Sequence, residues 1–202
     1  LYSHIDLLVP NLDELNEICP GSQSMEEKAD ILHVMKDCGG VGVYTIESRT
    51  QLELLQTCAK ETNLTIRALI RVTSGNQFGM DEELVCKIIG ERENYPDIHI
   101  AGIHYFSGTQ KHKLSKIQKE LEKLDQFCLF LKEDFAFEVQ QLEYGPGAGI
   151  SYFPSDKNVL STEEMVTGIR EIIKNMQFSG TITLEMGRFL TAMCGSYFTA
   201  VK

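Results

Sequence analysis

The chain has 202 residues, 43% of them hydrophobic and 24% charged, which is ordinary for one soluble domain with a sizeable core. A formal net charge of −10 disfavours nucleic acid and anionic membrane as partners. No apolar run reaches the roughly 18–20 residues that a membrane span needs.

The first residues, Leu1-Tyr-Ser-His-Ile-Asp6, carry neither a basic region nor an initiator methionine. They read as neither a signal peptide nor a natural start, so a longer parent protein is expected. Short β-like runs then alternate with longer helical ones. The strand pattern is weakest at Leu15–Cys19 and clear at Val41–Ile46, Ile66–Val72, Ile98–Phe106, Val139–Tyr144 and Thr181–Glu185. These runs are rich in Val, Ile and Leu and mostly continuous in apolar character, as strands buried on both faces should be. Helical spacing predicts helices over Met25–Asp37, Thr50–Lys60, Asp81–Glu93, Leu114–Glu133 and Thr162–Asn175. In the longest, Leu114, Ile117, Leu121, Leu124, Phe127, Cys128 and Leu131 form an apolar stripe opposite Lys116, Lys119, Glu120 and Lys123. Ser161-Thr-Glu-Glu164 reads as an N-cap with an acidic first turn. Strand–helix alternation implies a parallel sheet, and six such units fit part of a barrel that typically takes about 250 residues. The expected fold is therefore α/β, a partial (β/α)8 TIM-type barrel over residues 1–188. Residues 189–202 read as a connection leaving it.

Six cysteines (Cys19, Cys38, Cys58, Cys86, Cys128, Cys194) show neither CxxC nor zinc-finger spacing. Most sit in apolar patterns and read as buried free thiols of a cytoplasmic protein.

Three strand ends carry chemistry. Leu184-Glu-Met-Gly-Arg188 places a carboxylate and a guanidinium at one tip. The carboxylate can hold a protonated ring nitrogen and the arginine a phosphate; a structural salt bridge between them is the plain alternative. Gly145-Pro-Gly-Ala-Gly149 can bring backbone N–H groups close to an anion, or can simply be a tight turn. His104 and Phe106 share a strand face ahead of Gly108 and Thr109, and His104 reads as a ligand-facing imidazole or as a satisfied core histidine.

Taken in order, these segments resemble the fold type III pyridoxal-phosphate decarboxylases, the diaminopimelate and ornithine decarboxylase family with its alanine-racemase-like barrel. Leu142-Glu-Tyr-Gly-Pro-Gly-Ala-Gly-Ile-Ser-Tyr152 is similar to the family's phosphate-wrapping glycine segment, and Glu185-Met-Gly-Arg188 to its Glu-Pro-Gly-Arg motif. Gly102–Gln110 resembles its strand ending in Gly-Ser-Gln. Ile46-Glu-Ser48 with Leu52-Glu-Leu54, Ala68-Leu-Ile-Arg-Val72 and Gln77-Phe-Gly79 resemble further family segments.

The resemblance implies pyridoxal 5′-phosphate as cofactor, an amino acid substrate similar to diaminopimelate, ornithine or lysine, and a homodimer. It implies that Glu185 pairs with the pyridinium nitrogen. Arg188, Thr109 and the amides of Gly145 and Gly147 would hold the phosphate. Phe106 would replace a stacking histidine, with His104 below it as a polar partner in catalysis, and Arg71 would order the rim. Pro146 for glycine removes one N–H donor, and Met186 replaces a proline. Ser22-Gln23 stand where many relatives carry a lysine. The family's Schiff-base lysine, in a Tyr-Ala-x-Lys-like motif on the first barrel strand, has no counterpart here, and neither Lys28, Lys36 nor Lys60 is nominated for it. The first strands and the C-terminal β-domain are expected to lie outside this chain, leaving it inactive alone and poorly soluble. A racemase or epimerase of the same fold, a non-catalytic decarboxylase-like regulator and an unrelated phosphate-binding barrel are the alternatives.

Overall fold

The computed structural model describes residues 42–61, 63–153 and 159–195. The expected strand at Leu15–Cys19, the helix at Met25–Asp37, Cys19 and Cys38 lie outside them. Within them run β1 (Tyr44–Ile46), α1 (Arg49–Glu61), β2 (Ile66–Val72), α2 (Glu82–Gly90), β3 (Ile98–Phe106), α3 (Leu114–Phe135), β4 (Gln141–Gly145), α4 (Thr162–Lys174), β5 (Thr181–Leu184) and α5 (Gly187–Thr191). The five strands form one sheet in the order β1-β2-β3-β4-β5, every pair parallel. Each strand therefore pairs with the next in sequence through a helical crossover, which is barrel winding.

Differences from the expected elements are local. β1 begins at Tyr44 rather than Val41, and β4 begins at Gln141 although Val139 is buried. α2 stops at Gly90, and a 3-10 turn follows at Arg92–Asn94. α3 continues to Phe135 and ends on Ala136 in the left-handed conformation. α5 begins at Gly187, so the expected 188/189 boundary falls inside a short helix. Ser161 and Glu164 form a complete capping box at the start of α4. No helix among the described residues is long and apolar enough to cross a membrane.

Alternation assigns the two sheet faces. Ile66, Ala68, Ile70 and Val72 of β2 share one core with Leu52 and Leu55 of α1 and Val85 and Ile88 of α2. Tyr105, Leu142 and Tyr144 extend it beneath α3, against Ile117, Leu121 and Leu131. The apolar stripe of α3 is buried as its spacing requires, half-buried Leu114 aside, and it also buries Asp125. That carboxylate accepts hydrogen bonds from the backbone N–H groups of Gln177 and Phe178, at 2.9 and 2.8 Å, and so anchors the entry to β5.

The opposite face carries a small apolar cluster, Val43, Leu69 and Ala101, and beside it a polar layer. A bulge between Ala68 and Leu69 shifts the register so that Arg71 pairs with His104, His104 with Glu143, and Glu143 with Thr183. One layer across four strands thus carries a guanidinium, an imidazole, a carboxyl and a hydroxyl. Cys58 and Cys128 are buried as expected, but Cys86 is half-buried and Cys194 exposed; Cys86, Cys128 and Cys194 are free thiols.

Candidate active site

Because the strands are parallel, their C-terminal ends meet on one rim. Glu47 follows β1, Arg71 lies near the end of β2, Phe106 and Gly145 close β3 and β4, and Glu185 follows β5. The N–H of Glu185 still donates to the carbonyl of Tyr144 at 3.0 Å, so the sheet ladder fixes its backbone.

Glu185 is the centre of the site. Its Oε2 lies 3.0 Å from His104 Nε2, an N–H donor when the imidazole carries its proton there. His104 is buried, and its Nδ1 has no partner among the described residues. The hydrogen bond from His104 holds the Glu185 carboxyl below the ordinary carboxylate range, against the opposing effect of burial. The Glu185–Arg188 salt bridge, the plain alternative for this motif, is absent from the ion pairs of the described residues. Arg188 instead donates from Nη1 to Thr109 Oγ1 at 3.3 Å.

Glu185, Arg188, Thr109, Phe106 and Gly147 line one cleft of about 320 Å3, closed on another side by Phe189. Gly147 adopts φ +59°, and a Cβ there would lie 1.8 Å from the carbonyl oxygen of Gly108. The two loops touch at that point, which only glycine allows. Gly145 is not on the cleft wall. A Cβ on it would lie 2.5 Å from the Phe106 ring and 3.3 Å from Glu185 Oε2, so its lack of a side chain lets both groups approach the strand end. Arg71 also stands off the wall. It is bonded to Glu47, both side chains are largely buried, and its guanidinium lies 5.2 Å from the centre of the Phe78 ring.

Two groups were not nominated from the sequence. Glu143, the register partner of His104, is 3% exposed, and its Oε2 is buried without a partner among the described residues. Burial first, then the negative charge of Glu185, pushes its carboxyl up to about 7. Its signal is a glutamate at an inward position of an otherwise apolar strand, Gln141-Leu-Glu-Tyr-Gly145. The second group lies under the loops. Lys111, buried, donates from Nζ to Ser107 Oγ at 2.6 Å and to Glu120 Oε2 at 2.8 Å, and Tyr144 donates its hydroxyl to the same Glu120 oxygen at 2.7 Å. Sequence separation hid this set, which spans the loop after β3, α3 and β4.

Residues 22–192 match the family model described as the pyridoxal binding domain of the pyridoxal-dependent decarboxylases. The chain belongs to that family. Diaminopimelate decarboxylase of Aquifex aeolicus is 25% identical over 175 residues, which cover 79% of this chain and 41% of that protein. The L-glutamyl-[BtrI acyl-carrier protein] decarboxylase of Niallia circulans is 24% identical over 179 residues, covering 79% and 42%. The crystal structure of diaminopimelate decarboxylase from M. jannaschii in complex with L-lysine superposes with a TM-score of 0.66 at 21% identity, over 80% of this chain and 40% of that one. The chain spans about two fifths of the length of these relatives, and the fold is a partial pyridoxal-phosphate-binding barrel.

Proposed function

We propose that this chain supplies the cofactor-holding strand ends of a pyridoxal-phosphate-dependent amino acid decarboxylase. One observation carries this reading: a single cleft is walled by a carboxylate, an aromatic ring, and an arginine bonded to a threonine hydroxyl. Its volume of about 320 Å3 falls in the range of small-molecule sites. The residues fit the cofactor's two charged ends. Glu185, kept anionic by the His104 hydrogen bond, suits a protonated ring nitrogen. Arg188 and Thr109 suit a phosphate, together with the backbone around Gly147 where the loops close on each other.

Pyridoxal phosphate, when bound, supplies an electron sink for the pair left on the substrate α-carbon as CO2 departs. The chain's own residues do the rest. Glu185 keeps a proton on the ring nitrogen, and His104 holds Glu185 in place. Phe106 covers the ring's edge of the cleft with an apolar face and excludes water. Gly145 makes room for Phe106 and Glu185, and Arg71, paired to Glu47, orders the rim beside them. The substrate class is an amino acid similar to diaminopimelate, lysine or ornithine. The reading includes a cytoplasmic location and a homodimer, and the free thiols of Cys86, Cys128 and Cys194 support a reducing compartment.

The test is binding of pyridoxal phosphate to the protein, followed by its absorbance and by competition with inorganic phosphate. Saturable binding that R188M weakens by about tenfold or more is expected, as for loss of a charged hydrogen bond. Release of CO2 from diaminopimelate, lysine or ornithine by the full-length protein then decides the activity. Binding that phosphate cannot displace and R188M does not change would overturn the assignment.

A further inference from the structure

We propose that Glu143 is a positioning residue that retains the one proton of a Glu143–Glu185 carboxyl pair, so that Glu185 alone presents the anion to the cleft. The cofactor end of this inference rests on the function proposed above; the proton sharing does not.

The geometry begins with crowding. His104, Glu143 and Glu185 each offer a donor or acceptor atom, all within 4.8 Å of one another. Two carboxyl groups so close, one of them buried, resist ionising together, because each charge raises the other's energy. Position decides which keeps the proton. Glu143 lies on the inner face of a central strand, 3% exposed, with one oxygen in contact with no polar partner among the described residues. Burying an ionised carboxylate there costs far more than burying a neutral carboxylic acid. Glu185 has a side chain 45% exposed to the cleft and a hydrogen bond from His104. The anion therefore rests on Glu185.

The groups facing Glu143 pull in both directions, and burial together with Glu185 outweighs the opposing effect of His104. From β3, His104 lowers Glu143, but its hydrogen bond goes to Glu185 rather than to Glu143. From the end of β5, Glu185 raises Glu143. From β2, Arg71 lowers Glu185, while Glu47 already pairs with its guanidinium. Thr183, the register partner on β5, is neutral. Within that 4.8 Å spacing a protonated Glu143 can donate to Glu185, an interaction that raises Glu143 and lowers Glu185. Glu185 is then held by two donors, His104 on β3 and Glu143 on β4, and keeps its free lone pairs for the cleft.

The pH consequence has a definite sign. The Glu143 carboxyl is raised from the ordinary 4.5 to about 7, so the folded protein binds the proton more tightly than the unfolded chain. The neutral form's stabilisation is fully present below pH 4.5 and is lost as pH rises from 4.5 to about 7. Glutamine mimics the neutral acid and its donor, so E143Q should not suffer that loss.

The experiment compares wild type, E143Q and E143L in two ways. Melting of the protein without added ligand is followed across pH 4 to 9. E143Q and wild type should melt together at the acid end, with E143Q higher by on the order of 5 °C above pH 7. Parallel profiles at every pH would overturn the shared proton. Binding of deoxypyridoxine phosphate, which has the ring and phosphate but no aldehyde, is then measured at pH 6. E143L should weaken it by about tenfold, and E143Q should restore it to within about threefold of wild type. Equal loss in both variants would overturn the donor role. If wild type itself does not bind this probe, the cofactor reading and the positioning role both fall, and the melting profiles still judge the proton.

Discussion

Gly147 and Gly145 look equivalent in the sequence, yet the structure gives them different work. Gly147 permits contact between two loops at a positive φ, whereas Gly145 makes space for the Phe106 ring and the Glu185 carboxylate. G147A must therefore force Gly108 away and strain its own backbone, and about 2–4 kcal/mol of destabilisation is expected. G145A should leave the loops in register and displace Phe106, which binding of a ring ligand would report more strongly than melting. Equal melting temperatures for G147A and wild type would contradict the close approach. Thiol chemistry separates in the same way. Burial pushes the Cys128 thiol up to about 12, whereas Cys194 is exposed. Alkylation at pH 8 followed by peptide mapping should find Cys194 modified well before Cys128. At this scale Glu185, Arg188 and Thr109 were legible as strand-end residues. Glu143 was not, because its meaning depends on which neighbours the register sets beside it.

At the scale of elements, the site depends on two loops held as one. The loop after β3 and the loop after β4 form a parallel bridge, in which Lys111 N–H donates to the Gly147 carbonyl and Gly149 N–H to the Lys111 carbonyl, both at 2.9 Å. The Gln110 side chain adds two bonds to the backbone of Ile150. Beneath this bridge, the Lys111 ammonium, Ser107, Glu120 and Tyr144 form a closed polar network that ties the loops to α3 and β4. Removing one member leaves a charge with poor solvation, so K111M should destabilise by about 3 kcal/mol. K111M/E120Q removes both charges and should recover part of that loss. Phosphate-bearing ligands should bind K111M about tenfold more weakly, since Thr109 and Gly147 lie on the two tethered loops. A double variant no more stable than K111M, read by melting, would show that the two groups act independently. Among the described residues the five strands and helices α1 to α4 were legible from periodicity to within a few residues, whereas α5 was not. The network was not, because Lys111 and Glu120 look in sequence like any charged pair near a helix start.

For the whole molecule, strand–helix alternation already implied a parallel sheet, and consecutive pairing follows from short crossovers. The polar layer of the inner face was harder to read, since the Ala68/Leu69 bulge changes which residues of β2 and β3 lie in one layer. The sheet's margins lead to the last prediction. Among the described residues β5 pairs only with β4, and its other edge carries unpaired backbone N–H and C=O groups beside half-buried Ile182 and Leu184. Leu190 and Met193 follow at 71% and 86% exposure, and Tyr152 and Phe153 are exposed in the loop after β4. An open parallel edge beside apolar side chains is a template for another chain. The 202-residue chain expressed by itself should therefore self-associate, with an apparent mass in light scattering that rises with concentration. Replacing Ile182 by lysine places a charge at that edge and should shift the population toward monomer, as edge lysines do in natural sheets. A monodisperse monomer with a single cooperative melt at all concentrations would mean that the β5 edge is covered by other parts of the chain.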